Sequence, residues 1–173
     1  MTIRKILTEP DPFLRQKSID VNQVDSETRK LMDDMLDTMY AAPGIGLAAV
    51  QVGIPKRIIV IDLSKEEEKK PLYFVNPKII LKSDSNATYE EGCLSVPGQF
   101  AEIDRPDKCH VNYLDYNGKQ QEIKAEGLLA TCIQHEIDHL EGILFIDYLS
   151  KLKKNYIVKK LSKQKKILER IVV

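Results

Sequence analysis

Cysteine is scarce in this 173-residue chain: Cys93, Cys109 and Cys132 are too few, and odd in number, for a disulfide framework. In a reducing compartment each reads as a buried thiol, a metal ligand or a nucleophile. Long apolar runs are also missing. No stretch approaches a membrane span, and Met1–Gln16 lacks the continuous apolar core of a secretory signal. The expected location is therefore the cytoplasm, with no membrane partner. Internal repeats and low-complexity linkers are absent, and the length fits one domain over residues 1–173. With 43% hydrophobic and 30% charged residues, the composition excludes a disordered chain.

Net charge is zero, yet it is unevenly spread. Residues 151–173 hold nine Lys/Arg against one acid, Glu169, whereas the other 150 residues hold 17 basic and 25 acidic groups. An acidic body thus carries a basic tail, and such tails commonly meet phosphate backbones.

The chain reads as α+β. Thr8–Asp20, with Pro10 and Pro12, reads as an extended, turn-rich opening segment. Leu31, Met32, Met35, Leu36, Met39 and Tyr40 recur at helical spacing and predict an amphipathic helix over about 26–42, with Asp25 and Ser26 as capping residues. Pro43-Gly44-Ile45-Gly46 then forms a glycine-rich loop. Arg57–Leu63 and Leu72–Leu81 are β-rich, with a charged surface turn, Lys65–Lys70, between them. Cys109–Tyr116 and Gln120–Ala125 predict a hairpin around Asn117-Gly118. Leu128–Leu140 returns to helical period between Gly127 and Gly142. Residues 148–171 form a final lysine-rich helix, with Leu152, Tyr156, Leu161, Leu168 and Ile171 expected on one side. The expected architecture is mixed or antiparallel sheet around a central helix, flanked by an N-terminal helix and a basic C-terminal helix over 150–173.

Histidine occurs only three times, and two of the three stand in His135-Glu136-Ile137-Asp138-His139. On a helix, residues i and i+4 share a face about 5–6 Å apart, so the two imidazoles can hold one divalent metal ion. Glu136 then reaches water at that ion and can act as general acid and base. Two histidines buried for packing alone would not need this spacing around a glutamate.

A catalytic site of this kind needs a third ligand and an open position. A third histidine in the H-E-x-x-H-x-x-G-x-x-H pattern is excluded, because Phe145 stands in its place after Gly142. A downstream acid is poorly supplied: Glu141 adjoins the motif and Glu169 lies in the basic tail. Upstream, Cys109 and His110 share a strand and read as structural. Cys132 is two helical turns from His139, too far to complete one tetrahedral centre with both histidines. Cys93 lies in Glu90-Glu91-Gly92-Cys93-Leu94-Ser95-Val96-Pro97-Gly98, where a thiolate and free backbone N–H groups can be presented together. Cys-His-His ligation would leave a fourth position for water or substrate.

Gly44-Ile45-Gly46-Leu47-Ala48-Ala49-Val50-Gln51 lacks the third glycine of a dinucleotide fingerprint. On its own it reads as a turn followed by a small-residue packing segment. The alternative is a backbone-exposed edge that a peptide can pair with, plus a Gln51 amide that can donate to a developing oxyanion.

Taken in order, G-I-G-L-A-A-V-Q (44–51), E-G-C-L-S (91–95) and Q-H-E-I-D-H-L (134–140) resemble the three signature motifs of bacterial peptide deformylases. The opening I-L-T-E-P-D-P-F-L-R (6–15), S-V-P-G (95–98) and Arg105-Pro106 resemble that family too, so the likeness spans essentially the whole chain. It implies removal of the formyl group from the N-terminal formylmethionine of nascent polypeptides. It also implies Cys93, His135 and His139 as ligands, Glu136 as general acid/base, and Gln51 with the Leu94 N–H as oxyanion donors. Ile45, Gly46 and Gly92 would hold the peptide extended, and Leu128 would line the methionine pocket. The implied metal is Fe²⁺, with Zn²⁺, Ni²⁺ or Co²⁺ able to replace it. The basic terminal helix resembles the ribosome-docking helix of some members. Three rivals predict different behaviour: an endopeptidase would cut unformylated chains internally, a structural zinc module would close its site with four ligands, and a Cys93 nucleophile would survive chelation.

Overall fold

The computed structural model describes residues 2–64 and 68–171. Residues 65–67 of the expected charged turn lie outside the described residues, as does the side chain of Ile171.

Helix α1 (Ser26–Ala41) starts where the Asp25 carboxylate accepts the Thr28 N–H at 2.8 Å, satisfying one of the free donors of the first turn. Helix α2 (Gly127–Leu140) ends where Gly142 takes a left-handed φ of +74° and its N–H returns to the His139 carbonyl. Between these helices lies a five-stranded antiparallel sheet in the order β1 (Gly46–Ala48), β2 (Ile58–Ile61), β3 (Leu72–Lys82), β6 (Lys108–Leu114), β7 (Gln120–Glu126). Strand β2 explains the sequence Ile-Ile-Val-Ile: all four residues are buried because the sheet is covered on both faces. Ile58 and Val60 pack with Met32, Met35 and Met39 of α1, while Ile59 and Ile61 pack with Ala130, Ile133 and Leu140 of α2. Each fully buried side chain of this size contributes about 1.5–3 kcal/mol relative to exposure.

The expected β6–β7 hairpin is present, its turn held by the Asp115 carboxylate accepting the Asn117 and Lys119 N–H groups. Two expectations change. The segment around Cys93, for which the sequence predicts no strand, is the tip of a second antiparallel sheet, β4 (Asn86–Cys93) paired with β5 (Val96–Pro106). Its inner face, with Val96, Ala101 and Ile103, packs against Leu144–Ile146 and the buried pair Ile157 and Leu161 of α3 (Lys151–Ile171). Secondly, of the apolar residues expected on one side of α3, only Leu161 is buried among those described. Ile157 and Leu161, one turn apart, face the protein, whereas Leu152, Tyr156 and Leu168 are exposed.

Strand β1 is an edge strand bonded only to β2, and it follows directly from the glycine-rich turn. The site lies where this edge, the β4–β5 tip and α2 converge.

Candidate active site

Helix α2 presents His135 and His139 one turn apart, both buried, and the β4 end brings the Cys93 thiol to them. One ligand atom from each of Cys93, His135 and His139 lies within 4.8 Å of the others. Cys93 Sγ stands 3.2 Å from His139 Nε2. Ligands about 2.0–2.3 Å from a shared tetrahedral ion stand roughly 3.3–3.8 Å apart, so the pair stands slightly closer than two ligands of a common centre. His135 Nδ1 lies 2.8 Å from Glu91 Oε2. A proton on Nδ1 shared with that carboxylate leaves Nε2 free to ligate, the arrangement that orients metal-binding histidines. Cys109 and His110 lie on β6 outside the cluster, and Cys109 is buried in the core beside α2.

The electrostatics suit a cation. Burial alone would lower His135, but the hydrogen bonds and charges of Cys93 and Glu91 raise it well above its ordinary value. The same negative surroundings favour a divalent ion. Burial, joined by the positive surroundings, holds His139 well below its ordinary value and so neutral. Cys132 is pushed up to about 12, first by burial and then by the charges of Glu136 and Glu91, which keeps it a thiol.

Glu136 is buried beside the ligands, and burial lifts its carboxyl to about 7. Its Oε2 has no protein partner among the described residues. Its Oε1 lies under β1: a Cβ built on Gly46 would come within 2.5 Å of that oxygen. The glycine is therefore required by space, since the edge strand passes directly over the acid.

Gln51 is almost completely buried. Its Oε1 accepts the Ala48 N–H at 2.8 Å, which fixes the amide orientation and turns Nε2 toward Ser95 Oγ at 3.0 Å and Cys93 Sγ at 3.6 Å. The Ser95 N–H also donates to Cys93 Sγ, at 3.4 Å. Leu94 forms the hairpin tip next to the ligand. A cleft of about 450 Å³ opens here, walled by Ile45 and Gly46 on one side, Gly92 and Leu94 on the other, and Leu128 on the helix.

Sequence reading missed the buried support of this cluster. Glu91 lies two residues before Cys93 and so on the same strand face. Arg105 grips it with two hydrogen bonds, Nε to Oε1 at 2.5 Å and Nη2 to Oε2 at 3.0 Å, and reaches Asp138 Oδ2 at 2.8 Å through Nη1. Burial opposes the charge on Glu91, but the bonds from His135 and Arg105 outweigh it and hold the carboxyl below its ordinary value. The available signal was the two-residue spacing of Glu91 and Cys93, together with an arginine alternating with Ala101 and Ile103.

A cysteine, two histidines at helical i, i+4 spacing and a buried glutamate between them define a metallohydrolase centre. The family model for polypeptide deformylase matches residues 3–155. A peptide deformylase of Pelagibacter ubique is 68% identical over the whole of both chains, and one of Rhizobium meliloti is 56% identical over 96% of each. Among solved structures, an Ehrlichia chaffeensis peptide deformylase in complex with actinonin aligns with TM-score 0.91 and 48% identity, covering 95% of this chain and 98% of that one. A Legionella pneumophila peptide deformylase aligns with TM-score 0.90 and 46% identity over 98% and 99%. The chain belongs to the polypeptide deformylase family. It is a metal-dependent hydrolase that removes the N-terminal formyl group from nascent polypeptides.

Proposed function

We propose that Cys93, His135 and His139 hold one Fe²⁺ ion, that Glu136 is the general acid/base, and that formylmethionyl chains bind across the cleft between β1 and β4. The observation that carries this reading is the convergence of the three ligand atoms within 4.8 Å beside a buried, protein-unpaired Glu136 oxygen. Zn²⁺, Ni²⁺ and Co²⁺ suit the same mixed sulfur and nitrogen donors. A bound divalent ion supplies Lewis acidity and lowers the pKa of water toward neutrality.

The protein supplies the rest. Ile45 and Gly46 offer an edge-strand backbone and Gly92 the opposite one, so an extended chain can pair between them. Leu128 lines the space for the methionine side chain. With a carboxyl pKa of about 7, Glu136 can take the proton from attacking water and return it to the departing amine nitrogen. Formate and a free N-terminus result. Negative charge gathers on the formyl oxygen as the carbon becomes tetrahedral. The Gln51 Nε2–H and the Leu94 N–H are donors for it, and Gln51 arrives already oriented by Ala48.

The basic face of α3 is read as a docking surface for the ribosome, and the location as the cytoplasm, where nascent formylated chains emerge. No helix among the described residues is long and apolar enough to cross a membrane. The test of the reading is to incubate the protein with a formyl-Met peptide, with and without a chelator, and measure formate and free amine. Stoichiometric release of both, lost on chelation and restored by Fe²⁺, is expected. Activity that survives chelation would overturn the reading of Cys93, His135 and His139 as metal ligands.

A further inference from the structure

Strand β4 pairs with β5 on one side, and its other edge, unpaired among the described residues, borders the cleft. Along β5, Ala101, Ile103 and Arg105 turn inward and are buried, so Phe100, Glu102 and Asp104 stand on the outer face. Phe100 is the apolar member of these three, and it is 63% exposed. It lies opposite Gly92 in the strand register. A Cβ built on Gly92 would come within 2.5 Å of Cε1 and 2.7 Å of Cδ1 of the ring. The ring therefore leans across β4, over the glycine, and lines the cleft beside the unpaired edge. Glycine offers it no side chain to pack on, so most of the ring stays in water.

We infer that Phe100 is a specificity-determining residue that receives the side chain of the substrate's second residue and favours a large apolar one. This rests on the reading that the peptide lies extended between β1 and β4 with its methionine against Leu128. A chain added along β4 stands two strand spacings, or about 10 Å, from Phe100, with only the glycine between them. Its successive side chains point to opposite faces. The methionine side chain turns inward to α2, so the next one turns outward, to the face that holds Phe100. Gly92 adjoins Cys93, which puts the residue after methionine beside it. A leucine side chain and the ring can then meet above Gly92, whereas an alanine methyl is too short to reach it.

The test compares formyl-Met-Leu and formyl-Met-Ala peptides of otherwise identical sequence in wild type, Phe100→Ala, Phe100→Gln and Phe100→Tyr. The wild type should prefer leucine by about three- to fivefold in kcat/KM, the size expected of one good cross-strand apolar contact. The gain should lie in KM with kcat equal, because the contact is the same before and during reaction. Phe100→Ala should bring the ratio to about one. Phe100→Gln, whose stem still covers Gly92, should do the same, and Phe100→Tyr should keep the preference. No leucine preference in the wild type, or one unchanged in either Phe100→Ala or Phe100→Gln, would overturn the proposal while leaving the deformylase reading intact. Equal slowing on both peptides with the ratio kept would do so too, since the ring would then only cover the glycine. Absence of formate from both peptides with the metal-loaded wild type would remove that reading and the proposal together.

Discussion

Glu136 and Gly46 form a contact that ties backbone to chemistry. The carboxylate is buried, one oxygen lies under the glycine and the other has no protein partner among the described residues. Glu136→Ala should retain its metal, measured as ion content per chain, and lose about 10²–10⁴-fold in formate release, the usual worth of general acid–base catalysis. Metal loss in that variant would instead make Glu136 a ligand. Gly46→Ala places a methyl within 2.5 Å of Oε1 and 3.0 Å of Cδ, both in a buried side chain with little room to retreat. It should keep the metal too and slow turnover by displacing the acid. Full activity in Gly46→Ala would show that the carboxylate can move without penalty. Of these two residues the sequence makes only one legible. His135, Glu136 and His139 declare themselves by a spacing that a helix converts into a shared face, whereas the need for glycine at 46 comes from an edge strand brought over α2 by tertiary packing.

The β4–β5 hairpin shows the same division between elements. Its strands were invisible to apolar alternation because β4 runs Asn-Ala-Thr-Tyr-Glu-Glu-Gly-Cys, with few strand-favouring residues and an outer face in water. Its inner face is completed by an ion pair, Glu91 with Arg105, each side chain 5% exposed or less. An acid beside another acid in sequence reads as solvated surface, and only the fold makes it buried. Strand β2, by contrast, was legible because burial on both faces demands a run of β-branched residues. Removing one partner of the buried pair leaves the other charge uncompensated. Arg105→Met should therefore destabilise the protein by about 3–5 kcal/mol, read as a lower midpoint in urea unfolding. It should also weaken metal retention, since Glu91 would no longer be held against His135 Nδ1. Replacing both Glu91 and Arg105 by apolar residues of similar volume should recover part of the stability but not the metal affinity. That separation would distinguish support of the ligand from support of the fold.

Over the whole molecule, charge and packing assign different work to the two ends of the chain. The site is enclosed by α2, β1 and the β4–β5 tip, all before residue 141. Helix α3 touches that body through Ile157 and Leu161 and through the Lys154–Asp147 ion pair at 2.6 Å. Lys159, Lys160, Lys163 and Lys166 are exposed and sit in the segment that opposes the acidic remainder of the chain. A solvated helix face would need no such concentration of one sign, and self-repulsion along it is a cost unless a phosphate surface relieves it. Substituting these four lysines by glutamine should leave formate release from a short formyl-Met peptide near the wild-type rate, because none of them reaches the cleft. Ribosome co-sedimentation should weaken, and its dependence on log salt should flatten by a slope of about three, as four fewer phosphate contacts predict. Equal pelleting of both proteins across the salt series would reduce α3 to a solubilising face and leave delivery of the substrate to the β1–β4 cleft alone.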